Sequence, residues 1–311
     1  MMDRPDRRAF FRQSSGLAFG LAAGAALSRR AAAVPPIART RPSRIKTSCS
    51  GYSFRDYLTG KKEPKMTLLD FVDLCADMGF DATEPTGYYF PNPVTPEFLA
   101  ELKRRAHILG IDVSGTAIAN DFCLPPGEKR AQQIAHVKQW IDYAAAFGAN
   151  TIRIFSGSVP KDHTLEEAQN WFVECVEEAC AYAGEKGVFL ALENHGGISI
   201  PVDGMMTLLE KVKSPWFAIN LDTGNFNSAD PYADMAKVAP YSVNVQLKLE
   251  IRPQGGKTQR ADMDRIVGLL KEAKYSGYVA IEHETKEDPM VDVPKALAQL
   301  REALRKAEVG G

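Results

Sequence analysis

Three carboxylates end short β-rich runs in this chain: Glu193 after Leu190-Ala191-Leu192, Asp222 after Ile219-Asn220-Leu221, and Glu282 after Ala280-Ile281. Carboxylates brought together at strand ends can hold a divalent cation or carry protons to and from a substrate carbon. Which side each residue faces follows from alternation, because successive strand residues point to opposite faces. From Ser242 to Glu250 the odd positions are aliphatic and the even ones polar, so Gln246 and Lys248 share a side. The same parity joins Glu193 to His195 and Glu282 to Glu284, and it turns Asp222, Arg153 and Glu84 the same way. Like charges held close raise one another's pKa unless a cation neutralises them. Three carboxylates and Gln246 on four consecutive strands therefore predict a divalent metal among them.

Eight β-rich runs must position these groups: Arg44–Ser50, Phe80–Glu84, Asp112–Ala119, Asn150–Phe155, Val188–Glu193, Phe217–Asp222, Ser242–Lys248 and Tyr278–Glu282. Amphipathic stretches such as Thr67–Met78, Glu97–Leu109, Glu128–Phe147, Leu165–Lys186 and Val293–Lys306 alternate with them, and Gly79, Gly110, Gly148 and Gly187 stand as helix stops. Strict β/α alternation implies a parallel sheet, and eight units imply a closed (β/α)₈ TIM barrel, class α/β. Helices cover the outer face, so the polar parity points inward, and the strand ends form the mouth where such barrels place active sites. No GxGxxG or Walker loop follows a strand, which removes the nucleotide-binding α/β classes.

The segments Ala191-Leu192-Glu193-Asn194-His195-Gly196-Gly197, Asn220-Leu221-Asp222-Thr223-Gly224-Asn225 and Ala280-Ile281-Glu282 resemble the xylose-isomerase-like barrel superfamily of sugar isomerases and epimerases, over about Arg44 to Ala307. Members similar to the ketose 3-epimerases hold Mn²⁺, Mg²⁺ or Co²⁺ with Glu, Asp, His and Glu from strands five to eight. The resemblance maps three of these onto Glu193, Asp222 and Glu282. Two positions depart from it: Gln246 replaces the seventh-strand His, and Asn225 replaces a His three residues after the Asp. With Gln246 giving a carbonyl oxygen, the resemblance implies a metal ligated by Glu193, Asp222, Gln246 and Glu282, a nearly all-oxygen set that favours Mn²⁺ or Mg²⁺, with Co²⁺ next, over zinc. Endonuclease-like relatives use several zinc ions and many His ligands, and only five His exist here.

The resemblance implies a sugar isomerase or epimerase in which Glu193 and Glu282 exchange protons with a carbon beside a carbonyl while the metal steadies an enediolate. Lys248, His195, Arg153, Glu84, Asn225 and Arg252 are the expected substrate-binding residues, Arg252 by its match to a substrate-gripping Arg of the epimerases. Tyr52, Phe54, Tyr88, Tyr89, Phe90, Phe122 and Phe226 are candidates to stack on a sugar ring. The same apparatus could act as a lyase or hydratase on 3-keto-glycosides. A non-catalytic sugar-binding barrel is the reading from another class.

Composition excludes little else. Thirty-eight basic and thirty-nine acidic residues leave a net charge of −1 over 311 residues, which gives no electrostatic footprint for nucleic acid. Arg7-Arg8, the apolar run Leu17 to Leu27 and Ala31-Ala32-Ala33 look like a twin-arginine export signal cleaved after Ala33. Residues 1–33 are thus expected as a signal peptide, 34–43 as a linker and 44–311 as the barrel. Export to the periplasm, no stable membrane insertion after cleavage, a small carbohydrate substrate and, as one further option, a homo-oligomer complete the expectations. Five cysteines without a CxxC or Cys/His cluster read as buried packing residues.

Overall fold

The computed structural model describes residues 34–309, so the export signal expected at residues 1–33 lies outside the described residues. The strands are β1 (Ile45–Ser50), β2 (Ala82–Glu84), β3 (Asp112–Val113), β4 (Thr116–Ala117), β5 (Thr151–Ile154), β6 (Phe189–Glu193), β7 (Phe217–Asp222), β8 (Ser242–Lys248), β9 (Glu250–Ile251), β10 (Gln259–Arg260) and β11 (Gly277–Glu282). Nine of them form one parallel sheet ordered β3-β2-β1-β11-β8-β7-β6-β5-β4. Its two edges, β3 and β4, are consecutive pieces of one chain segment interrupted only at Ser114-Gly115. The sheet therefore closes on itself, and the segment expected as a single strand over Asp112–Ala119 is the split third strand of a (β/α)₈ barrel.

A short helix without a sequence signal, α1 (Arg55–Leu58), precedes helices that follow the sequence signals closely: α2 (Leu68–Asp77), α3 (Pro96–Leu109), α4 (Glu128–Phe147), α5 (Leu165–Lys186), α6 (Val202–Lys211), α7 (Pro231–Val238), α8 (Met263–Glu272) and α9 (Pro289–Lys306). Capping boxes at Thr67/Asp70 and Thr164/Glu167 start α2 and α5 by satisfying their first free N–H groups. Left-handed glycines at 110, 148 and 187 end α3, α4 and α5, where a Cβ would be strained. Among the described residues no helix is long and apolar enough to cross a membrane.

Burial obeys the predicted parity. Val245, Leu247 and Leu249 of the β8 segment are buried in the hydrophobic core under the helices. Inside the barrel, by contrast, lies a polar layer. Glu84 accepts from Asn244 Nδ2 at 2.9 Å and Gln246 Nε2 at 3.0 Å, while Asn220 Nδ2 donates to Gln246 Oε1 at 2.8 Å and Asn220 Oδ1 accepts from Asn244 at 2.8 Å. Most barrels fill this space with branched aliphatics; here four side chains close a hydrogen-bonded ring beneath the mouth.

Residues 34–43, expected as a linker, carry no regular secondary structure and are fastened to the barrel. The Val34 N–H donates to Leu209 O at 3.0 Å, the Ile37 N–H to Pro240 O at 2.9 Å, and Arg39 to Ser242 O at 2.6 Å. All five cysteines are buried and free, as their spacing suggests. The antiparallel β9–β10 hairpin beyond β8 has no clear signal in the sequence.

Candidate active site

Register decides which polar residues meet. Glu282 pairs with Lys248 across β11 and β8, and Asp222 with Gln246 across β7 and β8. Lys248 therefore reaches the mouth level with Glu282. Its ammonium lies 2.7 Å from Glu282 Oε2, 2.6 Å from Glu284 Oε2 and 3.6 Å from Asp222 Oδ2. The backbone fixes the root of this side chain: the Lys248 N–H donates to Thr223 Oγ1 at 3.0 Å. Gly224 makes room for its stem, since a Cβ there would come within 2.6 Å of Lys248 Cβ and Cγ.

Glu193 is held equally firmly. Arg153 Nε forms an ion pair with Glu193 Oε2 at 2.9 Å, a contact that is not aligned as a hydrogen bond, and Asn225 Nδ2 donates to Glu193 Oε1 at 3.0 Å. Arg153 is itself oriented by Ile118 O at 2.9 Å and the Tyr88 hydroxyl at 3.1 Å. Its guanidinium lies over the Phe155 ring at 4.0 Å, and Phe155 also stacks on His195 at 4.5 Å. Asp222 Oδ1 accepts the N–H groups of Gly224 at 2.8 Å and Asn225 at 3.1 Å, while Oδ2 is buried with no hydrogen bond and faces Lys248.

The mouth encloses a cavity of about 210 Å³ bounded by Tyr52, Tyr88, Arg153, Phe155, Glu193, His195, Lys248, Glu282 and Glu284. That is small beside the roughly 300–1,000 Å³ of drug-sized sites, and suits one sugar ring. A second cavity of about 180 Å³, lined by Asn225, Arg252, Thr258 and the β9 residues, shares Lys248 and Glu284 with the first.

Burial pushes the Glu193 carboxyl up to about 7, with the Glu282 charge adding to the rise and Arg153 and Lys248 opposing it. Burial likewise holds Asp222 well above the ordinary aspartate range against the pull of Lys248. Desolvation acts to lower the Lys248 ammonium, but Asp222, Glu282 and Glu284 outweigh it and keep the cation charged. His195 is shifted down by burial and by Arg153, so its imidazole is neutral near pH 7.

The expected site is thus partly assembled and partly corrected. Glu193, Glu282, Lys248, His195 and Arg153 converge on the cavity. Glu84 does not reach it: fully buried, with both oxygens taken by Asn244 and Gln246, it belongs to the polar layer below. Asn225 positions Glu193 at the border of the two cavities, and Arg252 lines only the second, from an exposed position. Of the aromatics, Tyr52 and Tyr88 face the cavity, whereas Phe54, Phe122 and Phe226 are core residues and Phe90 packs on Phe98, Trp140 and Phe147. Phe155 was not anticipated, although it shares the inward parity of Arg153.

The expected four-ligand metal set is not what these residues build. Gln246 is buried with its amide donating to Glu84 and accepting from Asn220, so it offers no ligand atom to the mouth. Arg153 and Asn225 each contact one Glu193 oxygen, and the Lys248 ammonium stands between Asp222 and Glu282. Among the described residues no group of three His, Cys, Asp or Glu side chains is arranged to hold a metal ion.

Replacing Glu84 with alanine removes the acceptor for two buried amides, each costing about 1–3 kcal/mol when left unsatisfied. Urea unfolding of E84A is expected to register that loss, whereas a substrate-binding role would instead raise KM with stability unchanged.

A parallel (β/α)₈ barrel with its ionisable groups gathered at the C-terminal mouth is the class this geometry defines. The chain belongs to the xylose isomerase-like TIM barrel family, which matches residues 72–307. No curated protein matches it. Among solved structures it is similar to D-psicose 3-epimerase with D-tagatose from Clostridium cellulolyticum H10, at 17% identity and TM-score 0.66, covering 83% of this chain and 99% of that one. The 3-keto-D-glucoside 4-epimerase YcjR from E. coli has 15% identity and TM-score 0.63, with coverage of 83% and 99%. The IOLI protein with a bound zinc atom has 18% identity and TM-score 0.64, with coverage of 83% and 96%. At these identities the likeness shows the fold; sugar epimerases and a zinc-binding protein share it.

Proposed function

We propose that this protein is a carbohydrate isomerase or epimerase that removes a proton from a carbon next to a carbonyl of a free sugar, glycoside or keto sugar. The observation that carries the reading is Glu193, whose carboxyl is buried, raised to about 7 and placed in one cavity with Lys248 and Glu282. A general base works best with its pKa near the working pH. Glu193 takes the proton, the C–H electron pair becomes the C=C bond of an enediolate, and the new oxyanion rests against Lys248 and Arg153. Glu282, across the mouth, delivers to the carbon a proton it draws from solvent, and Glu193 releases its own proton to solvent to complete the cycle. His195 and Tyr88 hold hydroxyls, with Phe155 and Tyr52 forming apolar walls.

The second cavity favours a substrate larger than one ring and keeps a lyase or hydratase reading open. In that chemistry the enediolate expels a group β to the carbonyl, and the space beyond Lys248 and Glu284 receives the leaving portion. The fold relative that acts on a 3-keto-glucoside supports the same substrate class. The N-terminal twin-arginine pattern supports an exported enzyme that meets unphosphorylated sugars. Product analysis by NMR with ketohexoses and 3-keto-glycosides tests the reading. A new epimer or isomer is the expected product, release of the aglycone selects the lyase, and tight binding without turnover of any of them would leave only a binding barrel.

A further inference from the structure

We infer that Lys248 is the built-in cation of this site, and that the mouth works with no bound divalent metal. Three independent features carry this. The Lys248 ammonium contacts Glu282 and Glu284 directly and faces the one Asp222 oxygen that lacks a hydrogen bond, so it fills the space between two carboxylates that would otherwise converge on a metal. Its stem passes over Gly224, where any side chain would collide with it, and its backbone is tied to Thr223, so the lysine is seated there by construction. Gln246 is bound on both sides within the polar layer and cannot serve as the neutral fourth ligand.

A divalent ion entering this mouth would have to displace the ammonium from Asp222 and Glu282 and leave it only the exposed Glu284 as a partner, beside a second cation, which is unfavourable for a buried charge. The role of the cation in proton abstraction is to hold the oxygen that gains charge, and an ammonium with hydrogens to donate can do so at a fixed position. This catalytic part rests on the function proposed above; the statement about metal binding stands without it.

Metal analysis and thermal unfolding test the inference on the full chain. Purified wild type dialysed against EDTA is expected to hold far less than one equivalent of Mn, Mg, Co or Zn, and its Tm is expected to stay unchanged in millimolar Mn²⁺. The K248A variant frees Asp222 and Glu282, and its Tm is expected to rise with Mn²⁺ concentration, as a ligand bound only by the folded state requires. One equivalent of tightly held metal in wild type, or a Mn²⁺-dependent rise in its Tm, overturns the inference, and the wild-type result alone decides it where K248A does not fold. A folded K248A that gains no metal binding overturns the claim that the ammonium excludes the ion. Solvent-deuterium exchange is run in parallel: EDTA-treated wild type is expected to keep its full rate, and a rate restored only by added metal counts against the inference. Absence of exchange under every condition would strike the proposed reaction and leave the metal result standing.

Discussion

K248M is expected to lose about 10²–10³-fold in turnover, the usual consequence of removing one group that holds a developing oxyanion, and to unfold far more easily than wild type. Methionine matches the stem of the lysine but leaves Asp222 and Glu282 without their shared cation in a buried site. Breaking a buried ion pair from one side costs about 3–5 kcal/mol. The deficit depends on pH in a definite direction. Burial already raises the Asp222 carboxyl, and Lys248 is the first charge opposing that rise, so its removal raises the group further. A carboxyl whose folded pKa lies above its unfolded value stabilises the fold fully below the ordinary aspartate range of about 4, and that contribution is lost as pH climbs through the folded pKa. Urea unfolding should therefore find K248M closest to wild type in acid and weakest at alkaline pH. A uniform loss across pH would mean that packing, and not charge, is what Lys248 supplies.

E193Q is expected to keep the fold and lose the reaction. Glutamine preserves an acceptor oxygen for Arg153 or Asn225, but it cannot take a proton, and removing a positioned base costs about 10²–10⁴-fold. Wild-type kcat/KM should fall about tenfold per unit of pH below about 7, because Glu193 must be ionised to act and burial holds its carboxyl up to about 7. The residual activity of E193Q should lack that acid limb. Stability moves the other way: Glu193 binds its proton more readily in the folded state, so wild-type stability declines between pH 4.5 and about 7, and the slope should flatten in E193Q. A pH–rate profile and a set of unfolding curves separate the two effects.

Much of this site is legible in the alternation of single strands, and the parts that are not share one cause. Parity tells which way a side chain points: Arg153, Glu193, Lys248 and Glu282 all turn inward as their sequences require. It does not tell how high along the barrel each stands. Height is fixed by register between strands, and here Gln246 pairs with Ala280 while Lys248 pairs with Glu282. Gln246 and Glu84 accordingly sink into the polar layer, and Lys248 rises to the place a fourth ligand was expected to fill. Asn220 and Asn244 belong to the same inward rows, yet only their tertiary meeting identifies them as partners of Glu84. Phe155 follows Arg153 by two residues and carries the parity signal, one position past the end of β5. The fold itself needed less. Helix caps and β/α alternation mark nearly every element, whereas the split of the third strand and the β9–β10 hairpin arise from closure and from loop contacts that no local pattern records.

The central claim is that Glu193 removes a proton from a carbon beside a carbonyl, and solvent-deuterium incorporation followed by mass spectrometry tests it most directly. Incubated in D₂O with a 3-keto-glycoside or a ketohexose, wild type is expected to place deuterium on the carbon adjacent to the carbonyl, and E193Q to place it there at least about a hundred times more slowly. Equal incorporation by the two proteins would contradict the account.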